Sequence, residues 1–223
     1  MISCIVPIYN NANTIQHVLH VLLSCKRIDE IIAVDDCSQD DSAQKIGLIP
    51  GVKCIFNLNN LGKGGAVIKG IRHSRGDTLL ICDADLEKLQ PRHINRLIEE
   101  YRTGEYDMVI AGRETDRGWW GNLMARLSGE RIFQRRTIEP YLEMIAGRGN
   151  GIEQIINYAH RGKRVKMIIS RDVGHILKLE KTGIRGWLPA YTKEGFQLLE
   201  TEFLLMRIST MKKLLPRRKS IAL

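Results

Sequence analysis

Short apolar segments alternate with amphipathic segments along the first 115 residues, and this alternation constrains the fold more than any other feature of the sequence. The apolar segments that have the length and composition of buried strands cover residues 2–8, 29–36, 52–59, 77–85 and 106–113. Segments with helical spacing or helix-start signals separate them, at residues 13–25, 40–49, 62–75 and 91–104. Strands and helices that alternate at this spacing form a mostly parallel sheet with helices on both faces. The sequence therefore predicts an α/β fold.

The pattern is weaker after residue 113. Residues 114–150 are less regular and rich in Arg, Gly and Trp, whereas a helix is expected at 152–162 and a strand near 164–170. A chain of 223 residues is long enough for one well-buried core. We expect one domain over residues 1–190 and a separate C-terminal tail over residues 191–223.

Polar side chains follow three of the predicted strands. They belong to "VPIYNN" at 6–11, "VDDCSQDDS" at 34–42 and "CDADLE" at 82–87. Because the carboxyl ends of parallel strands meet at one edge of a sheet, where open α/β sheets bind ligands, these side chains should converge. Each motif alone is a weak signal, since an aspartate at a strand end is also a common turn residue. Their convergence predicts a binding site at that edge.

Asp83 and Asp85 predict a metal site. Two carboxylates this close together at the end of a buried strand are costly unless a cation or a set of donors neutralises them. Oxygen ligands suit Mg²⁺ or Mn²⁺, which completes its shell with waters and substrate phosphates. Such an ion would neutralise a diphosphate leaving group.

A glycine-rich segment, "NLGKGGAVIKG" at 60–70, supplies a complementary positive charge. It places Lys63 at the start of a predicted helix, where anions bind. The segment matches neither GxxxxGK[ST] nor GxGxxG, because Val67 stands where the latter has its third glycine. A helix start with an incidental lysine is the alternative interpretation.

Together these segments resemble a known enzyme family. "IVPIYNN", "IIAVDDCSQDDS", "NLGKGGAVIKGI" and "GDTLLICDADL" follow the order and spacing of family 2 glycosyltransferases of the GT-A fold. The resemblance is to the polyprenyl-phosphate glycosyltransferases in particular, of which dolichyl-phosphate mannose synthase is typical. It implies a nucleotide-sugar-binding half at residues 1–115 and an acceptor-binding half at 116–190. It also implies inverting transfer from a UDP- or GDP-linked sugar.

The resemblance assigns roles to individual residues. The implied nucleotide-sugar-binding residues are Pro7, Tyr9, Asn11, Asp35, Asp36, Lys63, Asp83 and Arg113. Asp83 and Asp85 are implied to hold Mg²⁺ or Mn²⁺, with His175 as a further ligand, although a lone histidine is as readily structural. Asp85, Glu153 and Arg131 are the candidate catalytic residues; an arginine in an irregular segment is otherwise usually solvated.

The acceptor is indicated by a departure from the family pattern. Where many hydroxyl-directed relatives carry a catalytic aspartate, this chain has Gly149, Asn150 and Gly151. A sugar hydroxyl needs a positioned base, whereas a phosphate monoester is already anionic and needs only orientation. The missing aspartate therefore favours a polyprenyl or other lipid phosphate. The alternative is a hydroxyl of a soluble sugar or glycan, with Glu153 as the base.

Other functions fit the sequence less well. A sugar nucleotidyltransferase would have a GxGTR-like loop after its first strand, where this chain has "PIYNNANT". Intact Asp83, Asp85 and Lys63 argue against a non-catalytic binding module. The net charge of +9 would suit nucleic acid, but no basic recognition helix or aromatic platform is evident, so nucleic acid is not an expected partner.

The C-terminal segment indicates where the protein works. Within 191–223, Phe196, Leu199, Phe203 and Met206 recur at helical spacing, and basic residues gather toward the end. This is the pattern of an interfacial helix on anionic lipid, although such a helix can equally pack on its own domain. No stretch reaches the roughly 20 apolar residues of a membrane span, and the cysteines form no CxxC pair. We expect a cytoplasmic protein that contacts the cytoplasmic membrane face peripherally.

Overall fold

The predicted alternation of strands and helices is present. The structure, a computed structural model, describes residues 1–113, 128–145 and 151–170. Its strands are β1 (Ile2–Ile8), β2 (Glu30–Asp35), β3 (Lys53–Phe56), β4 (Thr78–Ile81), β5 (Met108–Arg113), β6 (Arg131–Gln134) and β7 (Val165–Ser170). Its helices are α1 (Ile15–Ser24), α2 (Ser42–Gly47), α3 (Gly62–His73), α4 (Pro91–Arg102), α5 (Arg135–Ile138), α6 (Leu142–Ile145) and α7 (Ile152–Ala159), and a 3₁₀ turn covers Glu139–Tyr141.

The strands of the described residues form one sheet in the order β3-β2-β1-β4-β6-β5-β7. β1 pairs in parallel with β2 and β4, β2 with β3, and β5 with β7. β6 is antiparallel to both of its neighbours, β4 and β5. The mostly parallel α/β sheet predicted from the sequence is confirmed.

Helices cover both faces of the sheet, which explains why β1 is buried along its whole length. On one face, Val6 of β1 shares a core cluster with Leu19 of α1 and Leu97 of α4. On the other face, Ile5 shares a cluster with Ile71 of α3 and with side chains of α7. Since successive strand residues point to opposite faces, one continuous apolar run serves both layers.

The sequence pattern gives little indication of one part of the fold. Residues 114–150 were predicted only to be less regular, and β6, α5 and α6 lie within this interval. β6 has four residues, Arg131–Gln134, and begins with a buried arginine. A run this short carries no usable periodicity, and its charged first residue hides it further.

The predicted C-terminal tail and domain boundary are not among the residues that the structure describes. Residues 171–223, which include the predicted C-terminal segment and the boundary near residue 190, lie outside the described residues. Among the helices that the structure does describe, none has the length and apolar character needed to cross a membrane.

Close packing of α3 on the sheet depends on Gly70. A Cβ added at this position would lie 2.5 Å from Ile5 Cγ2 and 3.3 Å from Val34 Cγ2. Gly47, at the end of α2, is a matched control because a Cβ there meets nothing within 4 Å. Overpacking of this kind costs roughly 1 to 3 kcal/mol, more than the gain of about 1 kcal/mol in helix propensity.

We therefore predict that Gly70→Ala lowers the free energy of unfolding in urea by about 1 to 2 kcal/mol. Gly47→Ala should leave it unchanged or slightly raised. Equal midpoints for the two variants would show that α3 does not need this close approach.

Candidate active site

The ends of β1 to β4 meet at one edge of the sheet, and three of them carry the polar residues that the sequence predicted to converge. The register pairs Ile8 with Asp35 and Asp35 with Phe56, so the segments that follow β1, β2 and β3 lie side by side. Ile81, the last residue of β4, faces Arg131, the first residue of the antiparallel β6. The chain just before β6 therefore arrives beside the Asp83-Ala84-Asp85 segment.

The loops after β1 and β2 hold each other in place. Asn10 donates its backbone N–H to Ser38 Oγ at 3.0 Å and accepts a hydrogen bond from the backbone of Gln39 at 2.8 Å. Asn11 is buried, donates its backbone N–H to Ser42 Oγ at 2.8 Å, and accepts the N–H of Tyr9 on its side chain. These contacts fix the backbone beside Tyr9, whose side chain is 43% exposed.

Buried acceptors lie at the ends of β2 and β3. Asp35 is 3% exposed, and its Oδ2 accepts a hydrogen bond from the backbone of Ser38 at 3.1 Å. Within the part of the chain that the structure describes, Asp35 Oδ1 and Asn57 Oδ1 have no hydrogen-bond partner. The Asn57 backbone N–H donates to the Asp35 carbonyl at 2.8 Å, which places the two residues next to each other. Buried acceptors without donors are costly, so this pair is suited to a ligand that donates hydrogen bonds.

Asp36 organises the approach to α3. It is 2% exposed, and its Oδ1 accepts hydrogen bonds from Asn57 Nδ2 at 2.7 Å and from the Leu61 backbone at 2.9 Å. Both contacts belong to the connection between β3 and α3. Asp36 therefore holds the turn that leads to Lys63 at the start of α3.

Pro7, another residue predicted to bind the nucleotide-sugar donor, is buried within β1 and lies beside Val34 of β2.

The Asp83-Ala84-Asp85 segment is held from two sides. Thr14 Oγ1 donates to the Ala84 carbonyl at 2.7 Å. On the other side, Gly129 packs against the Asp83 carboxylate so closely that an added Cβ would collide with both of its oxygens. Asp83 and Asp85 are both half-buried. The two carboxylates thus lie on a rigid, partly accessible segment.

Lys63 joins this segment to α7. Its Nζ lies 2.7 Å from Asp83 Oδ1 and 2.7 Å from Glu153 Oε1. Burial acts to lower the pKa of Lys63, but the two carboxylates outweigh it and the pKa is raised above its ordinary value. For Glu153, burial acts to raise the pKa, but Lys63 and Arg131 outweigh it and the pKa is lowered. Lys63 and Glu153 are therefore both charged at neutral pH.

Arg131 lies next to this cluster and is completely buried, with 0% of its surface exposed. Its guanidinium donates to the Glu153 carbonyl at 3.3 Å, to Asn157 Oδ1 at 3.1 Å and to the Ser128 carbonyl. In this structure Arg131 affects the site indirectly, by binding Glu153, Asn157 and Ser128. Of the other predicted residues, His175 and the side chain of Arg113 lie outside the described residues; Arg113 ends β5.

The described residues contain no group of three or more His, Cys, Asp or Glu side chains arranged for a metal ion. They do provide the oxygen ligands of Asp83 and Asp85 on one short segment. Mg²⁺ is commonly held by one or two carboxylates, with waters and substrate phosphates as its remaining ligands. The carboxylates present are of the kind that suits such an ion, and in this structure Asp83 Oδ1 is paired with Lys63.

Two residues of the site were not identified from the sequence. Asn57 follows β3 and could have been found by the same strand-end rule that selected Asp35 and Asp83. Gly129 had no comparable signal. The need for glycine comes from its contact with Asp83, 46 positions earlier in the chain.

We predict that Arg131→Met lowers the free energy of unfolding by at least about 2 kcal/mol, because buried carbonyls lose their charged donor. Arg136 is exposed and provides the matched control: Arg136→Met should change stability by less than about 0.5 kcal/mol. Urea unfolding followed by circular dichroism compares the two, and similar small effects would mean that Arg131 does not secure α7.

The chain is similar to known proteins in sequence and in fold. The model of glycosyl transferase family 2 matches residues 3–170. An undecaprenyl-phosphate 4-deoxy-4-formamido-L-arabinose transferase from Sodalis glossinidius is 30% identical over 145 residues, which cover 61% of this chain and 44% of that protein. The glycosyltransferase AglD from Haloferax volcanii is 30% identical over 122 residues, covering 50% of this chain and 19% of that protein. The chain thus spans less than half the length of either relative.

A solved structure gives the same fold. Glucosyl-3-phosphoglycerate synthase from Mycobacterium tuberculosis, in complex with Mn²⁺, uridine diphosphate and phosphoglyceric acid, superposes with a TM-score of 0.73 at 18% identity. The match covers 92% of this chain and 78% of that one. Since the family model spans most of the sequence and the sheet has the predicted α/β form, the chain belongs to glycosyl transferase family 2 and has the GT-A fold.

Proposed function

We propose that the protein transfers a hexosyl unit, with inversion, from a UDP- or GDP-linked sugar to a polyprenyl or other lipid phosphate. The observation that carries this proposal is a convergence at one sheet edge. Two buried acceptors that have no donor among the described residues lie there with a pair of carboxylates beside a lysine. The first pair suits a nucleobase and the second suits a diphosphate with its metal ion. Membership of glycosyl transferase family 2 supports both assignments.

The base of the donor would lie over β2 and β3. Asp35 Oδ1 and Asn57 Oδ1 would accept hydrogen bonds from N–H groups on the edge of the base. Tyr9 offers a partly exposed ring beside the same strand ends, and Asn11 fixes the backbone that carries it. Guanine presents N1–H and N2–H₂ on this edge, and uracil presents one N–H at N3, so UDP- and GDP-linked sugars remain the candidate donors.

Asp83 and Asp85 would hold Mg²⁺ or Mn²⁺, which supplies positive charge to the leaving diphosphate. The Mycobacterium tuberculosis enzyme was solved with uridine diphosphate together with Mn²⁺ or Mg²⁺, which supports a divalent ion here. Lys63 adds a protein cation next to Asp83. Asp85 is proposed to be catalytic because it would contact the ion directly.

The state of Glu153 favours a phosphate acceptor. A general base works best with a pKa near the operating pH. Glu153 has a lowered pKa and is already paired with Lys63, so it is a weak base. A phosphate monoester needs no base, and the relatives from Sodalis glossinidius and Pseudomonas aeruginosa are undecaprenyl-phosphate transferases by name. Transfer to a hydroxyl with Glu153 as base is the second candidate, and this pairing argues against it.

We also propose that residues 191–223 bring the enzyme to the cytoplasmic membrane face. The supporting observation is their sequence, in which apolar residues at helical spacing lead into a cluster of lysines and arginines. A lipid phosphate has to be met at a bilayer surface. His175, which also lies outside the described residues, remains the third proposed metal ligand.

The base site leads to a prediction for Asp35. Asp35→Asn replaces one oxygen by an amide N–H₂, so it should weaken binding of UDP or GDP by about 1 to 3 kcal/mol. Asp41, exposed at the start of α2, is the matched control, and Asp41→Asn should bind the nucleotide like the wild type. Isothermal titration without acceptor measures both affinities. Equal affinities for the two variants would place the base elsewhere.

The reaction itself is tested by a transfer assay. Purified protein is given UDP- and GDP-linked hexoses with Mg²⁺ or Mn²⁺, and undecaprenyl phosphate in anionic liposomes is compared with soluble glycans. We expect a glycosylated lipid phosphate, and we expect chelator or the Asp85→Ala variant to abolish its formation because an ion ligand is lost.

Three results would contradict parts of the proposal. Product on glycans alone would favour the hydroxyl-directed candidate. Full turnover in chelator would remove the metal role of Asp83 and Asp85. Unchanged turnover on liposomes after deletion of residues 207–223 would remove the proposed membrane role of the tail.

A further inference from the structure

We infer that Glu153 is a positioning residue that holds the Lys63 ammonium against Asp83, where the donor diphosphate would lie. The inference rests on the proposed function and deepens it. It replaces a role for Glu153 toward the acceptor with a role toward the donor. The evidence is the geometry of three segments that are distant in sequence.

Lys63 stands between two carboxylates, and both distances are short. Its Nζ is 2.7 Å from Asp83 on the segment after β4 and 2.7 Å from Glu153 in the first turn of α7. An ammonium has three N–H donors. Among the described residues, Asp83 and Glu153 account for two of them, and the side chain keeps 26% of its surface exposed. The third donor can therefore reach an anion from solvent.

Glu153 can serve as a fixed support because it cannot move freely. It is 9% exposed, and its helix begins after Gly151, which has a φ of 112°. Such a φ strongly favours glycine and sets the direction in which α7 starts. Arg131 then binds the Glu153 carbonyl and Asn157 Oδ1, one turn further along the same helix. The carboxylate thus projects from an anchored helix turn.

The same arginine ties this support to Asp83. Arg131 also donates to the Ser128 carbonyl, and the neighbouring Gly129 packs on the Asp83 carboxylate. The contacts form a closed ring that runs from Asp83 through Lys63 and Glu153 to Arg131 and back through Gly129. A lysine with one carboxylate partner at a partly exposed site would sample many rotamers, since isolated pairs of this kind are weak. The second carboxylate confines the ammonium to one place.

This arrangement makes a prediction that separates positioning from general-base catalysis. A base acts on the acceptor, so its loss lowers kcat and leaves nucleotide affinity unchanged. If Glu153 acts through Lys63, Glu153→Gln should weaken binding of the nucleoside diphosphate even when no acceptor is present. The expected loss is at least about tenfold, as for one hydrogen bond to a charged group.

The experiment measures the affinity of the full chain for UDP and GDP by isothermal titration with Mg²⁺ and without acceptor. It compares the wild type, Glu153→Gln, Lys63→Met and the double variant. Lys63→Met should lose at least as much affinity as Glu153→Gln, and the double variant should bind no more weakly than Lys63→Met. Glu143→Gln is the matched control, because it breaks the exposed Arg72–Glu143 pair and should leave the affinity unchanged.

Each contrary result has a distinct meaning. If the wild type binds neither UDP nor GDP, the proposed function fails and this inference fails with it. If the wild type binds and Glu153→Gln binds equally well or more tightly, the inference alone fails. Wild-type affinity in Lys63→Met would also overturn it, and this outcome can be read even if Glu153→Gln does not fold.

Discussion

Charge balance at the end of β4 is the constraint on which the site depends. Asp83 and Glu153 bring negative charge to a poorly solvated place, and Lys63 and Arg131 bring positive charge to the same place. Burying any one of these groups alone would be costly, whereas together they satisfy each other. The four residues come from different segments, so the requirement for pairing also fixes how α3, α7 and the start of β6 lie around β4.

The sheet explains why these segments can meet. Parallel strands bring their carboxyl ends to one edge, which collects Asp35, Asn57 and Asp83. Antiparallel β6 starts at that edge, and it therefore brings Arg131 and Gly129 to the place where β4 ends. A parallel strand in this position would begin at the opposite edge. Among the described strands, the reversed direction of β6 thus supplies the inner wall of the site.

The first half of the fold was accessible from the sequence because its physics is local. Apolar runs gave β1 to β4, and the strand-end rule placed Asp35 and Asp83 at one edge. The bridge from Lys63 to Glu153 was not accessible, since it joins helices whose relative position depends on the whole sheet. The burial of Arg131 was not accessible for a related reason: arginines are usually solvated, and only the fold shows that this one is buried.

The strand order has a consequence for how the chain assembles during synthesis. β5 leaves the ribosome before β6, yet it is joined to β4 only through β6. Until residue 134 has emerged, β4 has an open edge and β5 has no partner in the final sheet. Exposed strand edges are prone to pair with other chains. A nascent chain in which residues 108–113 have emerged and residues 131–134 have not therefore exposes unpaired edges on both β4 and β5.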